Sequence, residues 1–182
     1  MPTVFTHPAL PLALSLGLGR YWISGRLLAL GIFVSILPDL DVLAFRFGIS
    51  YGAEFGHRGF SHSLFFALGA ALLGACFYRL LHCGFLRAFI FLALVTASHA
   101  VLDAFTNGGL GVALFWPWSA ERFFAPIKEI EVSPLAFSRF LAPRGWAVLK
   151  SEFMWVWLPL MSTAIVAAIA CYLWVRRKPP VT

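Results

Sequence analysis

Seven residues of this chain have the types and spacing of a chemical site: His7, Asp39, Asp41, His57, His62, His99 and Asp103. Imidazoles and carboxylates together are the nitrogen and oxygen donors of zinc, manganese and iron centres, and they suit those ions better than calcium. His99 and Asp103 stand at i and i+4, which puts them on one helix face a turn apart, as helices present paired ligands. Asp39 and Asp41, in P-D-L-D, stand at i and i+2, which a regular helix would splay apart. Pro38 interrupts the hydrogen-bond ladder there, and the freed backbone can turn both carboxylates inward if it lines a cavity. His57 and His62 flank Gly59 in H-R-G-F-S-H-S, residues 57 to 63, a loop-like spacing that delivers one imidazole from a loop and one from a first helical turn. Seven donors exceed the three or four protein ligands of one catalytic zinc. Either two ions share bridging carboxylates, or some of the seven support the others.

The elements that must position these residues are membrane helices. Of the 182 residues, 60% are hydrophobic and only 12% charged, with a mean hydropathy of +0.84, whereas a soluble domain is about a quarter charged. The expected fold class is all-α, a polytopic transmembrane bundle in one domain over residues 1 to 182. Four apolar runs approach or reach the roughly 20 residues a span requires: Leu27 to Phe47, Ser63 to Leu81, Leu86 to Phe105 and Phe153 to Val175. A fifth, Val4 to Leu18, crosses as a short helix or is re-entrant, so about five membrane segments are expected, four if it re-enters. It lacks a basic leader and an A-x-A site and does not read as a cleaved signal peptide. Residues 107 to 152 form a long aromatic-rich connection, and W-P-W at 116 to 118 suits the interfacial belt.

Topology gathers the seven. With alternating crossings, all of them fall at one membrane face, and if the first segment re-enters, His7 rejoins the cluster from that side. Arg176, Arg177 and Lys178 after the last span place the C-terminus inside, which puts the cluster on the extracytoplasmic face. The net charge of +6 is scattered between apolar runs and forms no basic stripe, so a nucleic-acid partner is not expected.

Other polar residues divide by setting. Arg58 is placed to neutralise a phosphate or to anchor the interface. Ser61 and Ser63 have no neighbouring base of triad character; they read as cap or support, with Ser61 the candidate cap. Thr106 and Asn107 close a helix end. His82, beside Arg79 at the opposite end, reads as solvated. Cys76, Cys83 and Cys171 have no C-x-x-C spacing and read as small core hydrophobes.

His7, S-I-L-P-D-L-D at 35 to 41, G-H-R-G-F-S-H-S at 56 to 63, A-S-H-A-V-L-D-A-F-T-N-G-G at 97 to 109 and F-W-P at 115 to 117 together resemble a family of bacterial inner-membrane proteins described as metal-dependent hydrolases, some of them under the SOS repressor. The motif order is also similar to that of zinc-dependent phospholipases C. The resemblance covers roughly residues 1 to 120 and implies a multi-pass protein of the bacterial inner membrane that uses metal-activated water on a lipid or lipid-linked ester, foremost a phosphoester. On this expectation His7, Asp39, Asp41, His57, His62, His99 and Asp103 hold one or two divalent ions, foremost zinc. Asp39 or Asp41 serves as base, and Arg58 meets the substrate. Two rivals use the same residues: an intramembrane zinc amide hydrolase resembling the ceramidases, and a metal or proton transporter. The transporter would need polar groups continuing toward the opposite face.

Overall fold

The computed structural model describes residues 1–134, 140 and 143–176. The described residues are helical: α1 (Ala9–Leu18), α2 (Gly25–Ile36), a 3-10 stretch (Leu37–Phe47), a 3-10 turn (Phe60–His62), α3 (Leu64–Ala75), α4 (Phe85–Ala104), α5 (Pro143–Glu152), a π turn (Phe153–Trp157) and α6 (Leu158–Arg176). Extended pairing is limited to two isolated bridges, Thr106 with Ile130 and Val112 with Phe123.

Among the described residues, three stretches are long and apolar enough to cross a membrane: Gly25–Phe47, Phe85–Ala104 and Pro143–Arg176. Ala9–Leu18 and Leu64–Ala75 have 10 and 12 residues, short of a full span, so length supports three spans where the sequence suggested about five. The run expected to cross from Ser63 to Leu81 is regular helix only to Ala75, after which the chain turns back through residues 76 to 84 into α4. Conversely, helix is present from Pro143 onward, ten residues before the apolar run that starts at Phe153. Arg177 and Lys178, two of the three basic residues behind the inside assignment of the C-terminus, lie outside the described residues.

In lipid, helices gain little from hiding apolar surface from one another, and close backbone approach becomes the source of cohesion. The contacts follow that rule. Helix α3 packs along α4 through Ala67, Ala71 and Ala75, four residues apart and all buried. Helix α2 crosses α4 at Gly31, where any side chain would overlap the Phe91 ring, and Gly17 of α1 lies against the backbone of Ala164 in α6. Helix α4 is thus the central strut. Its buried stripe runs Ala88, Phe91, Leu92, Val95, Thr96, His99, Ala100, Asp103, an uninterrupted helical face whose last turns change from apolar to ligand-bearing.

Candidate metal centre

Helix α4 delivers the first two donors. His99 and Asp103 are fully buried, and His99 Nδ1 lies 2.7 Å from the carbonyl of Ser35 in α2. A carbonyl only accepts, so Nδ1 must carry the proton and Nε2 presents a lone pair to the centre. His62 arrives from the 3-10 turn before α3, whose first turn is capped by Ser63 accepting from the Phe66 amide at 3.0 Å. The expected cap, Ser61, instead donates to Asp41 Oδ2 at 2.7 Å. His62 Nδ1 also faces Asp41, 3.1 Å from Oδ2, which turns its Nε2 inward. The two Nε2 atoms then meet at 3.0 Å.

Asp39 and Asp41 sit on the 3-10 stretch that follows Pro38, whose three residues per turn send positions i and i+2 to different sides. Asp39 lies among imidazoles: Oδ2 is 3.5 Å from His7 Nε2 and Oδ1 is 3.4 Å from His99 Nε2 and 4.0 Å from His62 Nε2. Asp41 points to the loop, where Oδ1 accepts from His57 Nδ1 at 2.6 Å and Oδ2 from the Arg58 amide at 3.0 Å. With His62 and Ser61 added, both Asp41 oxygens are engaged. The sequence named it a ligand or base; its contacts are those of a group that orients two histidines.

Arg58, expected to meet a phosphate or to anchor the interface, lies inside the cluster. It has no exposed surface and adopts φ 63°, a left-handed conformation a side chain rarely takes. Its Nε is 2.9 Å from Asp103 Oδ2, while the two terminal nitrogens donate to Gly108 O and Thr106 Oγ1, each at 2.9 Å. A guanidinium committed to a carboxylate and a helix end holds Asp103 in place rather than offering an open face to a phosphate. Thr106 closes α4, as expected, donating to the Asp103 carbonyl at 2.7 Å, and Asn107 Oδ1 accepts from the Val132 amide.

His7, just before α1, completes the set. Its ring stacks on His99 with centroids 3.6 Å apart. The structure therefore brings all seven sequence candidates into one cluster, in two interlocking groups and a support. His7, His99 and Asp103 offer donor atoms within 4.8 Å of one another, as do Asp39, His57 and His62, and Asp41 braces the second group. His82 is exposed at the far end beside Arg26, as expected. Sequence reasoning missed the Ser35 carbonyl, which no side-chain signal marks, and Arg122, which donates to the carbonyls of His57, Ala53 and Tyr51 and so ties the long connection over the histidine loop.

The residues fit a divalent cation. His7 Nδ1 and Nε2, both oxygens of Asp39 and Asp103 Oδ1 are buried without hydrogen-bond partners, an expensive arrangement unless an ion supplies the missing charge. Asp39, Asp41 and Asp103 gather against the Arg58 guanidinium and the His62 imidazole, and a divalent cation would offset the remaining carboxylate charge. Two imidazole nitrogens about 2.0–2.1 Å from a shared zinc stand roughly 3 Å apart, matching the Nε2 pair. Burial alone would lower the His62 pKa, but its hydrogen bonds to Asp103 and Asp41 outweigh that and raise it to about 9. A proton on His62 would settle the Nε2 pair, yet would leave His7 and Asp39 unpartnered.

Fold and site define a helical membrane protein with a buried histidine–carboxylate centre. The family model of the YdjM inner membrane proteins matches residues 1–177, and the chain belongs to that family. The inner membrane protein YbcI of Escherichia coli (strain K12) is 50% identical over 181 residues, covering 98% of this chain and 100% of the relative. No solved structure matches the chain. Family and apolar helices together support an inner-membrane location.

Proposed function

We propose that this protein is a metal-dependent hydrolase of the inner membrane, with zinc as the best match to its donors and a lipid or lipid-linked phosphoester as the substrate class. The observation that carries the reading is the convergence of His7, His62 and His99 on buried Asp39 and Asp103, with both ring nitrogens of His7 and both oxygens of Asp39 lacking hydrogen-bond partners. His7, His62, His99, Asp39 and Asp103 would hold the ion, with His57 at the edge of the set. A bound divalent ion supplies Lewis acidity and lowers the pKa of water toward neutrality. Asp39 takes the general-base role, because both its oxygens are free of hydrogen-bond donors while those of Asp41 are engaged. Asp41 and the Ser35 carbonyl fix the tautomers of His62 and His99, and Arg58 holds Asp103.

The site's place favours a lipid substrate, since it lies at the ends of membrane-long helices and beside an aromatic patch of Phe55, Phe60, Phe65 and Trp116. A transporter is less well supported: below the cluster the core of α2, α3 and α4 is Leu27, Val34, Ala71, Phe91, Leu92 and Val95, an apolar plug.

The test is metal analysis of the purified protein beside the double variant His62→Ala/Asp103→Ala, followed by assay of both on phospholipids and on N-acylated lipids. The wild type is expected to carry about one or two ions per chain and to release phosphate or a phosphorylated headgroup, and the variant to do neither. Equal metal content in the two would sink the site assignment. Cleavage of the amide substrates alone would move the protein to the ceramidase-like reading.

A further inference from the structure

Glu152 is the one acidic side chain of the last helical rod that is buried, at 1% exposure, and it lies where α5 meets the π turn, far in sequence from every motif of the cluster. Buried carboxylates need donors, and the donors here come from the opposite end of the chain. Thr3 gives both its amide and its hydroxyl, the latter at 2.7 Å, and Thr6 gives its hydroxyl at 2.7 Å. The Thr6 oxygen in turn accepts from Trp157 Nε1 at 3.1 Å, from the π turn. Residues 3 to 6 are closed into a turn by the Thr6 amide on the Thr3 carbonyl at 2.9 Å, and the Thr6 carbonyl accepts from Ala9 at 3.0 Å as α1 begins. The residue held between this turn and α1 is His7.

His7 needs such an anchor more than its neighbours do. His62 and His99 are oriented through their own rings, by Asp41 and by the Ser35 carbonyl. Neither ring nitrogen of His7 has a hydrogen-bond partner, and stacking on His99 fixes its plane without fixing its height above the centre. Its position must be set through the backbone. We infer that Glu152 is the positioning residue for His7, with the Thr3–Thr6 turn as the part through which it acts. The inference rests on the metal reading for its functional meaning, and on the hydrogen bonds alone for its structural one.

The experiment compares full-length wild type, Glu152→Ala, Thr6→Val and His7→Ala in detergent micelles by two readouts. In the first, apo protein is titrated with cobalt(II), whose visible absorption reports the ligand set. Glu152→Ala is expected to weaken binding about 10- to 100-fold and to shift the bands toward those of His7→Ala. In the second, amide hydrogen exchange over residues 3–9 should quicken about tenfold or more in Glu152→Ala, with α4 unchanged. A lower melting temperature with wild-type cobalt bands would mean a merely structural role and would overturn the inference, as would unchanged exchange. If Glu152→Ala does not accumulate, Thr6→Val, which keeps the carboxylate and removes one donor, decides by the same readouts. Should wild type itself bind no cobalt, the metal reading fails on that result, and the exchange arm still decides whether Glu152 holds the His7 segment.

Discussion

At the end of the bundle where α2 begins, the polar side chains of Ser24, Arg26 and Arg87 meet partners that satisfy them. Ser24 caps α2 and donates to the Leu81 carbonyl, Arg26 donates to Leu80 and meets His82, and Arg87 donates to Tyr21 while lying over the Trp22 ring at 4.6 Å. At the other end the backbone leaves the α-helix, the polar groups are ionisable and buried, and several have no partner. The same three helices, α2, α3 and α4, form both ends. Their difference teaches that the far end is built to finish a helix layer, whereas the cluster end withholds donors that a finished layer would have supplied.

The largest break in that contrast should come from Arg58. Its guanidinium pairs with the buried Asp103 carboxylate at 2.9 Å, and removing one partner of such a pair strands the other. Arg58→Ala is expected to cost about 3–5 kcal/mol of stability, read by denaturant unfolding in micelles; a loss below about 1 kcal/mol would show that Asp103 does not depend on it. A smaller change sharpens the division of labour between the two carboxylates of P-D-L-D. Asp41→Asn should leave the chain folded and weaken zinc binding about 10- to 100-fold in competition with a chelator, because His57 and His62 lose their charged acceptor. Wild-type affinity in that variant would return Asp41 to a role outside the centre. The smallest effect is set by the far end: Arg26→Ala should alter stability by no more than about 0.5 kcal/mol and leave the metal content as in wild type. A drop in bound metal there would couple the two ends and undo the comparison.

Much of this site was legible in the residues themselves. Helical spacing foretold that His99 and Asp103 share a face, and alternating segments foretold that His7, P-D-L-D and H-R-G-F-S-H-S meet them at one end. The roles within the cluster were not legible, because they depend on which oxygen or nitrogen each partner occupies. Asp39 and Asp41 differ by two positions in a tight turn, and only coordinates reveal that one faces imidazoles and the other the loop. Arg58 read as a phosphate partner or an interface anchor, and nothing in the spacing signalled the left-handed backbone with which it lies buried against Asp103. The number of spans was legible only in part, for a related reason. Apolar composition marks Ser63 to Leu81 as membrane-compatible, but it does not say where the chain stops being helix. Glu152, at the edge of the last apolar run, was the weakest signal and lies beyond every recognised motif.

The bond between Thr3 and Glu152 joins residues 149 positions apart. In a chain that enters the membrane from its N-terminus during synthesis, His7, the P-D-L-D carboxylates and α4 are all available long before residue 152 emerges. With Glu152 in the positioning role inferred above, completion of the cluster waits on arrival of the final rod, and a nascent chain stalled before it would carry most of the candidate donors with its first histidine untethered.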